Sequence, residues 1–190
     1  MDLLDILEDL IKCIDGKWFI GNGALLGIIR QRSLLEYDTD IDLYLLPNST
    51  INFEKLSKYN LDYQHWYSDL KIFSTLNPKN KKNKWLEYCS YIKTHNLNLD
   101  RPRVFSLAKE TYKEKGLQPK FTMPYIDVYF INEDLKVDQW PETYYFQNEI
   151  ETREYNCFKF PVNIPIGYKN ILNRNYGYKW KEKDPNWKYF

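Results

Sequence analysis

Three aspartates, Asp38, Asp40 and Asp42, stand at alternate positions in the stretch LLEYDTDIDLYLL, residues 34–46. Residues two apart on an extended strand share a face, so Asp40 and Asp42 present two carboxylates side by side. Left uncompensated, such a pair repels. Crowding raises the pKa of at least one member or demands a counter-charge, and a divalent cation is the usual way to keep both ionised. Mg2+ prefers hard oxygen ligands and commonly sits between one or two carboxylates and substrate phosphates; Mn2+ is an alternative. A third acid, Asp127, lies in the middle of another strand-like stretch, MPYIDVYFI. On a neighbouring strand it would supply a third ligand, although taken alone it also fits a structural acid paired with a lysine or arginine. Three such carboxylates suit phosphoryl or nucleotidyl transfer, in which metal ions shield phosphate charge and align the attacking and leaving oxygens.

The elements around these acids have complementary chemistry. KWFIGNG reads as a short strand running into a turn at Gly21, Asn22 and Gly23, and the apolar segment ALLGIIRQR that follows reads as a helix beginning near Ala24. Glycines admit a close phosphate, and the free N–H groups of a helix start favour an anion. Arg30 and Arg32 add positive charge to this segment. DIDLYLL then alternates Asp40, Asp42 and Tyr44 against Ile41, Leu43 and Leu45, as a two-faced strand does. A D-x-D pair or a GNG tripeptide alone is often a solvated edge or a plain turn. Here turn, helix, acidic strand and third acid follow in the order one site requires.

Elsewhere, Leu3, Leu4, Ile6, Leu7, Leu10, Ile11 and Ile14 recur at helical spacing, with Gly16 placed to stop the helix. A helix is expected around residues 51–59, one or two strands within LDYQHWYSDLKIFSTL, and strands at WLEYCSYIKTH and RVFSLA. Near the end, CFKF reads as a strand, followed by a proline-bounded turn and a helix from about Ile166 to Gly177. The run KNKKNK reads as a solvated tip. Tyr63, Trp66 and Tyr67 have the chemistry of a cage for a quaternary ammonium group, but core or rim packing is the simpler role.

At 190 residues the chain suits one domain, residues 1–190, with room for a real core. Its 28% charged residues sum to only +1, which lacks the broad basic surface of sequence-independent nucleic-acid binding. Cys13, Cys89 and Cys157 are dispersed and odd in number, arguing for reduced thiols in the cytoplasm rather than a disulfide framework or zinc site. His65 and His95 have no ligand-spaced partners. The start is acidic and amphipathic, without the basic region of a signal peptide, and no apolar run approaches membrane-spanning length. Asn48-Ser49-Thr50 is expected to be an ordinary turn, and no serine-hydrolase or P-loop motif occurs.

Taken together, GNGALLGIIRQRSLLEYDTDIDLYL resembles the paired segments of the LicD and fukutin-related family, G-T-L-L-G-x-x-R followed by W-D-D-D-I-D. Gly23, Leu25, Leu26, Gly27 and Arg30 coincide with the first segment, and Asp38, Asp40, Ile41 and Asp42 with the second. PYIDVYF is similar to the later strand bearing the family's third acid, and Pro165, Leu172, Tyr176 and Gly177 resemble its closing segment. Ala24 replaces the usual Thr, removing a hydroxyl but keeping the backbone N–H. Thr39 replaces the middle acid, on the face opposite Asp40. Glu36 and Tyr37 replace Pro and Trp.

The resemblance implies an α+β, nucleotidyltransferase-like fold: a mixed β-sheet flanked by helices, with an acidic metal site at one end of the central strands. It implies transfer of a substituted phosphate, such as phosphocholine or ribitol phosphate, from a CDP-linked donor to a sugar or glycan hydroxyl, releasing CMP. Asp40, Asp42 and Asp127 would be the catalytic metal ligands for Mg2+, with Asp127 also placed to accept the acceptor's proton. Gly21, Asn22, Gly23 and Ala24 would hold the pyrophosphate, with Asp38, Arg30, Arg153 and Arg174 as further substrate-binding candidates. Two alternatives stay open: a nucleotidyltransferase that uses an NTP and releases pyrophosphate, and an inactive nucleotide- or glycan-binding domain that keeps the fold.

Overall fold

A computed structural model of the chain describes residues 1–36, 38–66, 69–76, 124–137 and 140–183, with single positions 91, 107 and 110. Tyr37, Tyr67, Cys89, His95 and the KNKKNK run lie outside the described residues, as do the strands expected at residues 85–95 and 103–108 apart from positions 91 and 107, which are helical rather than extended.

The chain opens with α1 (Leu3–Ile11), whose N-terminus is closed by a reciprocal pair. Asp2 accepts from the Asp5 N–H, and Asp5 accepts from the Asp2 N–H. Ile6, Leu7 and Leu10 form its buried stripe. The helix stops at Ile11 rather than running to Gly16, because Ile14 is taken into a short pairing of β1 (Ile14–Asp15) with β4 (Thr50–Ile51). Gly16 instead turns the chain at φ +119°, against Ser49. Cys13 is buried just beyond the helix end.

Five strands form the central sheet. In spatial order they are β2 (Trp18–Ile20), β3 (Asp40–Leu45), β7 (Tyr125–Phe130), β6 (Asp69–Ser74) and β5 (Leu61–Trp66). The β3–β7 pair is parallel and the other pairs are antiparallel, so the sheet is mixed, as expected. Register partners point to the same face. Ile41, Leu43, Ile126, Val128, Leu70 and Ile72 therefore share one face, all at most 1% exposed, and α1 packs against β6 and β7. The opposite face carries Gln64, Lys71, Asp127 and Asp42 in one row across four strands.

Beside that polar row lies an aromatic one. Phe19 and Tyr44 stack at 5.2 Å between ring centroids, and Tyr44 and Tyr129 at 4.9 Å. Tyr145 meets Phe19 and Tyr44 edge-on at 5.9 and 6.0 Å. These rings contribute buried area as well as a geometric preference worth about 0.5–1.5 kcal/mol per pair.

The helix expected around residues 51–59 is a single turn, α3 (Phe53–Leu56), continued as a 3-10 turn over Ser57–Tyr59. Beyond the sheet come β8 (Lys136–Val137), β9 (Trp140–Tyr144), α4 (Gln147–Ile150), and the hairpin of β10 (Thr152–Tyr155) with β11 (Val162–Pro165). CFKF is thus the bend between two strands rather than a strand. The last helix, α5 (Tyr168–Tyr176), begins after Ile166, whose N–H is still bonded to the Glu151 carbonyl. Gly167 lets this start approach α4, because an added Cβ would lie 2.5 Å from Glu149 Cα.

Gly27, in the middle of α2 (Asn22–Gln31), has a similar reason. A Cβ there would come within 2.6 Å of the Ser33 carbonyl oxygen and 2.9 Å of the Leu35 nitrogen. Alanine gains about 1 kcal/mol of helix propensity over glycine. Overpacking against backbone that no rotamer change can move costs about 1–3 kcal/mol. Gly27→Ala is therefore expected to lower stability by about 1 kcal/mol in urea unfolding; a gain in stability would show that the 33–35 turn yields freely.

Candidate active site

The parallel register of β3 and β7 sets Asp42 directly opposite Asp127, with Asp40 two residues away on the same face. One carboxylate oxygen from each of the three lies within 4.8 Å of the others. Asp40 and Asp42 are half-buried, and Asp127 is 6% exposed. The sequence thus places its three acids together, at the N-terminal ends of the two central strands.

Their electrostatics follow from this crowding. Burial, then repulsion from Asp127 and Asp40, pushes the Asp42 carboxyl up to about 8, against partial relief from hydrogen bonds with Asn22 and Tyr129. Asp40 is also raised, chiefly by burial, with Lys71 and a Tyr125 hydrogen bond pulling the other way. Tyr125 itself is raised by burial and by Asp127, Asp40 and Asp42, so it stays a protonated donor toward Asp40.

The turn before α2 is tied to the acids through the backbone and through Asn22. Gly21 N–H donates to the Asp42 carbonyl at 2.9 Å, and an added Cβ at Gly21 would lie 2.3 Å from the buried Tyr44 ring. Asn22 takes a positive φ of 42°, a conformation asparagine tolerates better than most residues. Its Nδ2 donates to the Tyr44 hydroxyl at 2.9 Å, and its Oδ1 accepts from Asn175 Nδ2 at 3.3 Å. Gly21, at the N-cap of α2, has no side chain to accept from the first-turn N–H groups around Asn22, Gly23 and Ala24. An electropositive helix start therefore stands beside the acids.

The C-terminal helix closes the same side. Glu149, 3% exposed, accepts from the Phe146 N–H and from both Arg174 terminal nitrogens at 3.3 Å. This fork anchors α5, which brings Asn175 to Asn22. It also brings Tyr176 near the acids: its hydroxyl is raised by burial and then by Asp42, Asp38 and Asp40.

The basic candidates fall elsewhere. Arg30 is in the last turn of α2, eight residues and so about 12 Å along the helix from Asn22. Its buried Nε makes no hydrogen bond. Arg32 donates to the Asn156 carbonyl. Arg153 stands over the Tyr168 ring at 5.8 Å, and Arg174 is held by Glu149 and Tyr145. Asp38 is half-buried two residues before β3, its N–H bonded to the Leu35 carbonyl. Tyr63 packs against Phe53 at 4.6 Å, while the Trp66 side chain lies outside the described residues.

Among the described residues, the cation that faces the acids lies in none of the motifs read from the sequence. Lys71, on β6 directly opposite Asp127, is 7% exposed and forms an ion pair with Asp127 Oδ1, its Nζ 4.0 Å from the Tyr125 ring centroid. DLKIFS held the clue: a lysine alternating with Leu70 and Ile72 must face the side of the sheet opposite to theirs, with Phe73. Asp127 therefore does have the lysine partner that a structural acid would have, while also standing in the triad.

Residues 16–164 match the family LicD/FKTN/FKRP, nucleotidyltransferase domain, and the chain belongs to that family. The match stops one residue before Pro165, so the closing segment that carries Tyr176 stands outside it. No curated protein matches the chain significantly. Family membership points to a transferase of phosphate-containing groups acting on glycans. The donor set fits a hard divalent cation: all three ligands are carboxylates within reach of one ion, and their mutual repulsion is what a cation would relieve. Among the described residues, no helix is long and apolar enough to cross a membrane.

A carboxylate whose pKa is raised on folding binds more protons in the native state than in the unfolded one, so stability falls as pH rises through the interval between the two values. With Asp42 moved from 3.8 to about 8 and Asp40 shifted the same way, metal-free protein should lose stability from pH 5 to pH 8. The Asp42 contribution to the slope approaches about 1.4 kcal/mol per pH unit. Urea unfolding in a chelator should show the loss, and Asp42→Asn should flatten it. A metal-free stability that is constant or rising over this window would contradict the electrostatic description.

Proposed function

We propose that the protein is a magnesium-dependent transferase that moves a substituted phosphate, of the phosphocholine or ribitol-phosphate kind, from a CDP-linked donor to a sugar or glycan hydroxyl, releasing CMP. The observation that carries this is the convergence of Asp40, Asp42 and Asp127 within 4.8 Å beside a helix start with glycine at its N-cap, in a chain of this family. We read residues 1–190 as one domain, and the dispersed cysteines favour a cytoplasmic setting. No nucleic-acid partner is expected.

In this reading Asp40, Asp42 and Asp127 hold the cation. Bound there, Mg2+ would supply charge neutralisation for the donor pyrophosphate and the developing charge on the leaving CMP. The N–H groups at Asn22, Gly23 and Ala24 take the pyrophosphate oxygens, and the missing threonine hydroxyl at Ala24 leaves this contact to the backbone. Asp127, oriented by Lys71, accepts the proton of the attacking hydroxyl. The acceptor oxygen bonds to the distal phosphorus, the bond from that phosphorus to the bridging oxygen breaks, and CMP leaves with the electron pair. Asn22 and Tyr129 keep the Asp42 carboxylate aimed, and Tyr125 does the same for Asp40. Arg30, Arg153 and Arg174 are left outside this first set of phosphate contacts, given their present partners and places.

The test is phosphorus NMR of the protein with Mg2+, a mixture of sugar acceptors, and CDP-choline, CDP-ribitol, CDP-glycerol, CTP, ATP, UTP or GTP in turn. A CDP-linked donor should yield CMP and a new phosphodiester. Asp42→Asn should slow this about a thousandfold, the equivalent of the several kcal/mol a properly held cation contributes, with an unchanged circular dichroism spectrum. Pyrophosphate from a plain NTP, with no CMP, would replace the proposal by nucleotidyl transfer. Undiminished turnover in Asp42→Asn would remove the acids from the mechanism, and no turnover of any donor would favour an inactive binding domain.

A further inference from the structure

We propose that Lys71 takes the place of a second metal ion, so that the acid cluster holds one divalent cation per chain instead of a pair. This rests on the metal-binding reading of Asp40, Asp42 and Asp127.

Two-metal phosphoryl-transfer sites place their ions about 3.5–4 Å apart and use a carboxylate to bridge them. Here the side of the cluster nearest β6 already holds a positive charge. Lys71 faces Asp127 in antiparallel register, its ammonium contacts Asp127 Oδ1, and it lies 4.0 Å from the centroid of the Tyr125 ring. Tyr125 in turn hydrogen-bonds Asp40, and the Lys71 charge acts favourably on Asp40. The ammonium thus occupies a coordination position of Asp127 and neutralises the side shared by Asp127 and Asp40. The other side, around Asp42, is bordered by Asn22 and the start of α2.

Two features hold Lys71 there. Its neighbours Leu70 and Ile72 are fully buried on the opposite face and paired with Val128 and Ile126, which fixes the register that aims Lys71. Burial, ion pair and ring contact then confine the side chain, and a cation over an aromatic face is bound more firmly when desolvated. Among the described residues, the three carboxylates of the cluster and the one ammonium paired with them leave two negative charges, which one divalent cation balances. A second ion would have to displace the buried ammonium from its carboxylate and ring partners or sit against it at short range, and both are strongly unfavourable where water is scarce. Lys71 is therefore a positioning residue for Asp127 and a permanent part of the site's charge.

Counting bound Mn2+ by electron paramagnetic resonance, with Mn2+ as the probe and no nucleotide present, tests this directly. Wild type should bind one ion per chain at the cluster, lost in Asp42→Asn. Lys71→Met should bind two, or bind its first ion about tenfold more tightly or better, because a tethered competitor is gone. Lys71→Arg, which keeps the charge, should still bind one. If Lys71→Met folds only with metal, refolding in Mn2+ supplies the count, and wild type and Lys71→Arg decide independently. Two cluster ions in wild type would overturn the inference while leaving the metal site standing, as would one ion of unchanged affinity in folded Lys71→Met. No cluster ion in any variant would overturn both.

Discussion

Placing Asp42 opposite Asp127 on adjacent parallel strands is the constraint around which the rest of the structure is organised. Two carboxylates in that register, with Asp40 two residues away, repel one another in a half-buried setting, and each nearby feature answers that repulsion. Lys71 comes from the strand on the far side of Asp127, and Tyr125 and Tyr129 lend hydrogen bonds from the residues flanking it. Asn22 and the amide end of α2 approach from the other direction. These groups supply partial compensation, and the Asp42 carboxyl is still pushed up to about 8. That residual instability is the physical reason to expect a cation there.

The remaining architecture holds these groups still. The apolar face of the sheet is packed against α1, which leaves the opposite face for the site. The aromatic row of Phe19, Tyr44, Tyr129 and Tyr145 lies beside the acids, and its Tyr44 ring explains why Gly21 tolerates no side chain. The Glu149–Arg174 pair anchors α5 so that Asn175 reaches Asn22, tying the C-terminal helix to the turn before α2. A charged residue that seemed suited to phosphate in the sequence thus has a supporting role, holding the element that frames the site.

Much of the site was legible because strand periodicity is local. Asp40 and Asp42 had to share a face, and Tyr44 with them; the turn and helix upstream followed from Gly21, Gly23 and the apolar run. What joins Asp127 to them is a parallel pairing across more than 80 positions, which no local pattern specifies; the lone acid in an apolar strand made it a candidate, and the family resemblance supported the placement. Lys71 was missed because a lone lysine in a strand looks like a solvent-facing residue until the strand order places it inside the sheet, next to Asp127. Element ends were displaced for equally physical reasons. Pairing of Ile14 with Ile51 shortened α1, and the Ile166–Glu151 hydrogen bond delayed α5.

Anomalous diffraction from a crystal soaked in Mn2+ tests the central claim most directly. The account predicts a peak bonded to Asp40, Asp42 and Asp127 at ordinary metal–oxygen distances of about 2.0–2.3 Å, absent from an Asp42→Asn crystal. A fully soaked crystal with no peak at the three acids, or with manganese bound only elsewhere, would contradict it.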